Sequence, residues 1–277
     1  MSDTPNISLT GIHLYPVKGA AGLSLQRCTL DSFGIVHDRR WMVVDSDGVF
    51  LSQRSLPRMA LLSPHMEDGT LILDAPGMPS LRLSIERGGD DEIDVRIWRD
   101  RVRARVVKPD VEEWMSDFLT CPARLVHMES DEWRGTDPKY AEGSRVSFVD
   151  GYPLHLLSEE SLIDLNERLT APVPMNRFRP NLVVEGAGPY GEDAWRRIRI
   201  GQVEMEAAKP CARCTVITVD QSEGVADREP LATLSGYRGR EGKVYLGQNL
   251  VHLGTGQLGV GDRVELLEVG DPRPLMT

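Results

Sequence analysis

What most limits the fold of this chain is how often its apolar runs are interrupted. Runs of apolar and β-branched residues are short, and clusters of Gly, Pro, Asp or Ser break nearly all of them. The 26 glycines and 18 prolines among 277 residues leave little room for long helices and favour short strands joined by turns. Trp41-Met-Val-Val44, the turn Asp45-Ser-Asp-Gly48 and Val49-Phe-Leu51 predict a hairpin. Leu71-Ile-Leu73 and residues 81–85 predict two more strands, split by the Pro and Gly of residues 75–80. Residues 96–107 alternate with a period of two, which predicts a strand with Arg99, Arg101, Arg103 and Arg105 on one face and Trp98, Val102, Ala104 and Val106 on the other. The acidic residues 90–94 precede that arginine stripe, so it reads as a solvated, charge-balanced face.

Helices are few. Val111, Trp114, Met115 and Phe118 form one stripe over residues 111–119, with Asp110 as the expected N-cap. Ser158 caps a second helix over residues 159–169, lined by Leu162, Leu165 and Leu169, and residues 231–237 suit a short third. Residues 129–144 are rich in charge, Gly and Pro and read as a domain connection or long surface loop. Strands return at residues 181–184, 197–200, 203–207, 215–219 and 264–267. The expected architecture is mainly β with two or three helices, in two domains meeting near residues 120–145, the first a small barrel or sandwich. No glycine-rich loop opens a long helix, which argues against a nucleotide-binding fold.

Composition excludes several partners. Apolar residues make up 40% and charged residues 27%, an ordinary globular balance. Lys and Arg total 32 against 42 Asp and Glu, a formal charge of −10, so no broad nucleic-acid or anionic-membrane surface is expected. No apolar run approaches the roughly 18 residues that span a bilayer, and the opening MSDTPNISLTG lacks a secretory signal, so a cytoplasmic location is expected.

The four cysteines, Cys28, Cys121, Cys211 and Cys214, are too few for a disulfide scaffold. Cys211 and Cys214 form a Cys-x-x-Cys pair with four readings. A structural zinc site needs further ligands that no second pair supplies. A thioredoxin-type redox pair opens a helix, whereas this one runs into the β-branched Thr215-Val-Ile-Thr-Val219. Two buried structural cysteines are the plain alternative. The fourth is a thiolate on a soft or high-valent metal carried by an anionic cofactor, favoured by the flanking Lys209 and Arg213.

Several segments in series resemble a known family. Asn176-Arg-Phe-Arg-Pro-Asn-Leu-Val-Val184, Cys211-Ala-Arg-Cys-Thr-Val-Ile-Thr-Val-Asp220, Glu229-Pro-Leu231 and Leu246-Gly-Gln-Asn249 resemble the MOSC domain of molybdenum cofactor sulfurases and amidoxime-reducing molybdoenzymes. Tyr15-Pro-Val-Lys-Gly19, Asp38-Arg-Arg-Trp41 and residues 54–58 resemble the β-barrel domain that precedes it. The resemblance implies an N-terminal MOSC-associated barrel-like domain over residues 1–125, packed on a MOSC-type barrel over residues 126–277 with a few short helices.

The resemblance also implies a molybdenum cofactor, a molybdopterin whose metal Cys214 would ligate, making Cys214 both the metal and the catalytic residue. Lys18, Arg39, Arg179 and Arg213 match positions that hold its negative charge, a task suited to guanidinium groups. Asn181 offers an amide to the pterin edge, Asp150 and Gly151 align with a loop lining the site, and Gly19, Cys211 and Asn249 complete the cofactor-binding set. Two positions depart from the amidoxime reducers: Gly19 stands where they carry serine, and Tyr152 replaces a small polar residue. The chain stops soon after Val264-Glu-Leu-Leu267, with no room for an iron–sulfur domain, so electrons are expected from a separate iron–sulfur or flavin protein. Two functions follow. One is a reductase of small N-oxygenated substrates such as amidoximes and hydroxylamines; the other is a cofactor carrier or sulfur-transfer module working through Cys211 or Cys214. His37, His127 and His155 sit in no ligand spacing and receive no role.

Overall fold

A computed structural model describes residues 6–85 and 89–273. Residues 1–5, part of the stretch read for a secretory signal, lie outside the described residues. The structure is mainly β, with three α-helices, Pro109–Leu119, Glu159–Arg168 and Leu231–Ser235. A closed ring of seven strands dominates the C-terminal half. Leu154–Ser158 pairs in parallel with Leu182–Glu185, which pairs with Ile7–Leu14. Arg263–Val269, Trp195–Ile200, Val203–Arg213 and Lys243–His252 continue the ring, and Lys243–His252 closes it on Leu154–Ser158. Alternation along the strands, with an irregularity between Leu9 and Gly11 that brings Ile12 back to the inner face, turns Leu9, Ile12, Leu156, Leu182, Ile198, Met205 and Leu250 into the barrel interior, all buried. The chain's first strand is therefore part of the barrel built by its second half.

Five other strands form a sheet in the order Glu92–Ile97, Asp100–Val106, Arg124–His127, Trp41–Val44, Val17–Lys18, and Arg27–Asp31 lies between Gly34–Ile35 and Gly256–Gly259 in a smaller one. Every residue of Trp41–Val44 is buried. Trp41 and Val43 face the core under helix Pro109–Leu119, while Met42 and Val44 face a second core with Val95, Ile97 and Phe148. A strand covered on both sides reads as a continuous apolar run, which is why this segment was legible. A meander of Ser63–Glu67, Thr70–Asp74 and Leu81–Ser84 covers the outer side of the first core.

Three local expectations are corrected. Residues 96–107 are not one strand: the chain reverses at Trp98 and Arg99, with Ile97 paired to Asp100. A two-residue turn shifts the buried positions from odd residues (Val95, Ile97) to even ones (Val102, Ala104), so the trace it leaves in the sequence is the adjacent apolar pair Ile97-Trp98, which breaks the alternation. Trp98 pays for the turn with φ +58°, a left-handed conformation costing roughly 1–2 kcal/mol for a non-glycine residue. The arginine stripe itself is balanced as expected, Arg103 reaching Glu92 and Glu132 and Arg105 reaching Glu92 and Glu129. The first helix is capped at Lys108 rather than Asp110, because Pro109 takes the first helical position and needs no amide partner. Finally, Thr215–Thr218 is a 3-10 turn rather than a strand, with Cys214 at its N-cap. The second helix is as read: the Ser158 hydroxyl accepts from the Ser161 amide at 3.2 Å.

Residues 129–144 stay irregular, as expected, but they do structural work. The buried Arg134 pairs with Asp100 at 2.7 Å and donates to the carbonyls of Ser147 (2.9 Å), Val149 (2.6 Å) and Asp150 (3.3 Å). Arg134→Met would strand these acceptors, so unfolding free energy should fall by about 3 kcal/mol. Urea denaturation checks this, and a loss below about 1 kcal/mol would show that other contacts hold residues 147–150.

Candidate functional site

A cleft with about 870 Å³ of empty space, part of it open to solvent, lies between the N-terminal sheet and the barrel. All eleven residues singled out in the sequence line it. Lys18 arrives on the short parallel strand Val17–Lys18 beside Trp41–Val44. Gly19 follows at φ +85°, a backbone conformation that any side chain would strain, while a Cβ there would meet only the movable Met59 Cε at 2.9 Å. Its carbonyl accepts from Gln53 Nε2 at 2.7 Å.

Lys18 Nζ lies 2.5 Å from Asp150 Oδ1, with Arg54 3.5 Å from the other carboxylate oxygen. Burial pulls the Lys18 ammonium down to about 8, with Asp150 opposing the shift. Burial would raise the Asp150 carboxyl, but Lys18 and Arg54 outweigh it and hold it below the usual carboxylate range. Its side chain is still 60% exposed, so the two cations rather than desolvation decide its state.

Arg39 and Arg179 both adopt left-handed backbone, φ +46° and +55°. Their guanidinium carbons lie 4.3 and 4.4 Å from the centre of the Tyr15 ring. Burial pushes the Tyr15 hydroxyl up to about 12, so it stays neutral and donates to the Pro180 carbonyl at 3.1 Å. Burial also pulls the Arg179 guanidinium down to about 10, still charged at neutral pH, and it donates to the Ala20 carbonyl. Arg39 is fixed by Asp38 (2.5 Å) and by Asn181 Oδ1 (3.0 Å). The Asn181 amide is fully engaged. Its oxygen also accepts from the His155 amide, and its nitrogen donates to the His13 carbonyl and Asp38. It acts on the cleft through Arg39 and leaves no free donor for a ligand edge. Arg40, the neighbour of Arg39, turns away to Phe33 and the Met128 carbonyl.

Cys211 and Arg213 end the strand Val203–Arg213, and both thiols of the pair are half-buried. Arg213 Nη1 donates to Cys211 Sγ at 3.0 Å and to His155 Nε2 at 3.3 Å, while Nη2 donates to the Phe178 carbonyl at 2.7 Å. Burial, then Arg213 and Arg39, hold the His155 imidazole well below its ordinary range, so it is neutral and can accept. His155 was not found in the sequence, since it has no ligand spacing; it is there as an acceptor for an arginine. Arg54 and Gln53 were missed as well. The expectation that Lys209 flanks the thiols is corrected: irregularities in the strand around residues 207–212 turn it to Tyr140 and Tyr152, 4.6 and 5.1 Å from their rings. Gly151 and Tyr152 form the wall beside Asp150, and Asn249 Nδ2 reaches the Pro210 carbonyl at 3.4 Å.

Lys18, Arg39, Arg54, Arg179 and Arg213 thus face one carboxylate, Asp150, in a chain of net charge −10. Among the described residues, the buried Arg213 Nε has no acceptor. Such a wall suits an anionic, hydrogen-bonding ligand. Among the described residues no group of three or more His, Cys, Asp or Glu could hold a metal. A metal at this cleft would have to bring donors of its own and take a thiol here, and the zinc reading finds no ligand set. The thioredoxin reading finds a four-residue 3-10 turn in place of a helix.

The comparisons with known proteins agree with this layout. Residues 6–122 match the MOSC N-terminal beta barrel domain and residues 143–265 the MOSC domain. The chain belongs to the MOSC family, in the two-domain arrangement. It is 36% identical to mitochondrial amidoxime reducing component 2 of Rattus norvegicus over 83% of this chain and 72% of that protein. It is 35% identical to mitochondrial amidoxime-reducing component 1 of Mus musculus over 92% and 80%. It is 33% identical to molybdenum cofactor sulfurase of Oryza sativa over 87% of this chain, a match that spans 32% of that protein. No helix among the described residues is long and apolar enough to cross a membrane.

The lowered Lys18 gives a signed pH prediction. Its folded value of about 8 lies below its ordinary 10.5, so the unfolded chain binds the proton more tightly. The resulting penalty is full below pH 8 and is relieved as pH rises from 8 to 10.5. Between about pH 7.5 and 9.5 the parent should therefore gain about 2 kcal/mol more stability than Lys18→Met. Urea denaturation at both pH values tests this; equal gains would mean that Lys18 is solvated.

Proposed function

We propose that this protein binds a molybdenum–molybdopterin cofactor and reduces small N-oxygenated compounds, amidoximes or hydroxylamines, with electrons from a separate iron–sulfur or flavin protein. In this reading residues 1–125 and 126–277 are its two domains, and it works in the cytoplasm, where unpaired cysteines such as its four persist. The observation that carries the proposal is the convergence of five cations and the Cys214 thiol on one cleft. The amidoxime-reducing relatives supply the substrate class.

The donor set fits such a group. Lys18, Arg39, Arg179 and Arg213 offer charge-assisted hydrogen bonds to phosphate and pterin oxygens, and the partnerless Arg213 Nε is a buried donor awaiting one. Cys214 offers a soft ligand to a metal already bound to sulfur. When bound, the cofactor supplies the two-electron, oxygen-accepting chemistry. The chain's own part is positioning. The Phe178 carbonyl and neutral His155 pin Arg213, which in turn sets Cys211. Lys18 keeps its proton on Nζ at neutral pH and so stays cationic beside Asp150. Two electrons and two protons convert the substrate N–O bond into N–H and water.

Protein made in a host that synthesises molybdopterin should carry about one molybdenum per chain and reduce an amidoxime when given a ferredoxin and its reductase. Cys214→Ser should lose or weaken metal content and abolish turnover. Full reductase activity in Cys214→Ser would sink the assignment. The hold of Arg213 on Cys211 Sγ, 3.0 Å, favours a second reading, a carrier or sulfur-transfer module. A persulfide on Cys211 or Cys214 by mass spectrometry, together with no turnover, would select it.

A further inference from the structure

Trp98 occupies a position that its own chemistry disfavours. It is the first of the two turn residues between Glu92–Ile97 and Asp100–Val106. Positive φ at Trp98 and not at Arg99 is the type II′ pattern, whose first position normally belongs to glycine. Burial does not select it either, since the residue is 47% exposed. Yet the indole is held firmly. Its Nε1 donates to Asp150 Oδ1 at 3.2 Å, the Arg54 guanidinium carbon lies 4.5 Å from the ring centre, and the Phe50 ring packs at 5.0 Å with a 58° tilt. Asp150 and Arg54 are walls of the cleft, and Lys18 Nζ, bonded to Asp150, lies 5.4 Å from the Phe50 ring. The result is a fixed aromatic plate standing just outside the cleft, tied to it by the residues that line it.

We propose that Trp98 is a specificity-determining residue, the plate against which the planar aryl body of an N-hydroxylated substrate stacks while its N–O group reaches inward. This rests on the reductase reading of the cleft. A substrate whose reducible group must lie near Cys214 projects the rest of itself toward the mouth. There the indole and Phe50 offer flat apolar surface, with Arg54 already committed to the indole and to Asp150. An aryl group gains offset-stacking and area burial from that surface, whereas a short alkyl group gains little. The same left-handed turn would be met more easily by glycine, so an exposed Trp in that place points to a task for the ring itself.

The turn also provides a clean test, because Trp98→Gly suits a type II′ turn and should fold at least as stably as the parent. With the molybdenum-loaded protein and its electron donor, kcat/KM is measured for benzamidoxime and for acetamidoxime. The aryl-to-alkyl ratio should fall about tenfold in Trp98→Gly, mainly through KM for benzamidoxime, and should be largely kept in Trp98→Phe. Without reductant, benzamidoxime should quench parent tryptophan fluorescence, and that quench should vanish in Trp98→Gly. An unchanged ratio in an active Trp98→Gly overturns the proposal. So does an equal loss for both substrates accompanied by loss of molybdenum, which would make Trp98 a support for Asp150. A parent that loads no molybdenum and reduces neither substrate sinks the reductase reading instead, and the quench experiment then still decides for or against Trp98.

Discussion

The arrangement around Asn181 is the joint on which the cleft depends. Its side chain ties the His13 carbonyl of the first barrel strand, the buried Asp38, the Arg39 guanidinium and the His155 amide into one buried network. Asp38 adds the Tyr15 amide at 2.9 Å. These groups come from segments far apart in the chain, and all are removed from water, where an unpaired amide or carboxylate would be costly. Full satisfaction of the network fixes the angle at which Arg39 enters the cleft. It also explains why the first strand is built into the barrel of the second half: His13 must be there for the joint to close.

The cleft keeps its positive character by a second device. Burying guanidinium groups normally demands carboxylates, and those would cancel the field. Here much of the hydrogen bonding is met by neutral backbone acceptors: Ala20 for Arg179, and Phe178 with His155 for Arg213. Carbonyls satisfy the N–H groups without neutralising the charge, so the charge remains for a ligand. Two carboxylates depart from this rule: the buried Asp38 pairs with Arg39, and Asp150 pairs with Lys18 but is left 60% exposed at the rim.

Much of this was legible in the sequence. Period-two patterning located most strands, and a cap with its leucine stripe located helix Glu159–Arg168. Eleven scattered residues that the family resemblance singled out converge on one cleft. Three kinds of feature were not legible. A two-residue reversal leaves only a one-residue slip in the alternation, as at Ile97-Trp98, which a reading of one continuous strand passes over. A β-branched run can take a 3-10 turn when tertiary contacts require it, as at Thr215–Thr218, where Ile217 is buried against Phe178 and Leu234. And a residue that acts through another carries no spacing signal, as His155 does through Arg213, while Asn181 was named but its action through Arg39 was not, because the partners lie across the fold rather than along the chain.

Backbone strain marks the same region from another direction. Of the eight described non-glycine residues at positive φ, Arg39 and Arg179 line the cleft and Trp98 stands beside it, while at Gly19 glycine takes positive φ without that cost. Arg39, Arg179 and Trp98 each cost free energy and persist because their surroundings over-determine them. For Arg39 and Arg179 the compensation is visible in the Tyr15 ring, against which both guanidinium groups are stacked. At Gly19 no compensation is needed, because glycine adopts φ +85° freely. Two arginines held in left-handed backbone and stacked on one ring suit a preorganised site, since rigid donors need no rearrangement when an anion arrives. The neutral network beneath and the strained turns above thus serve one end: a fixed positive surface in a chain whose net charge is −10.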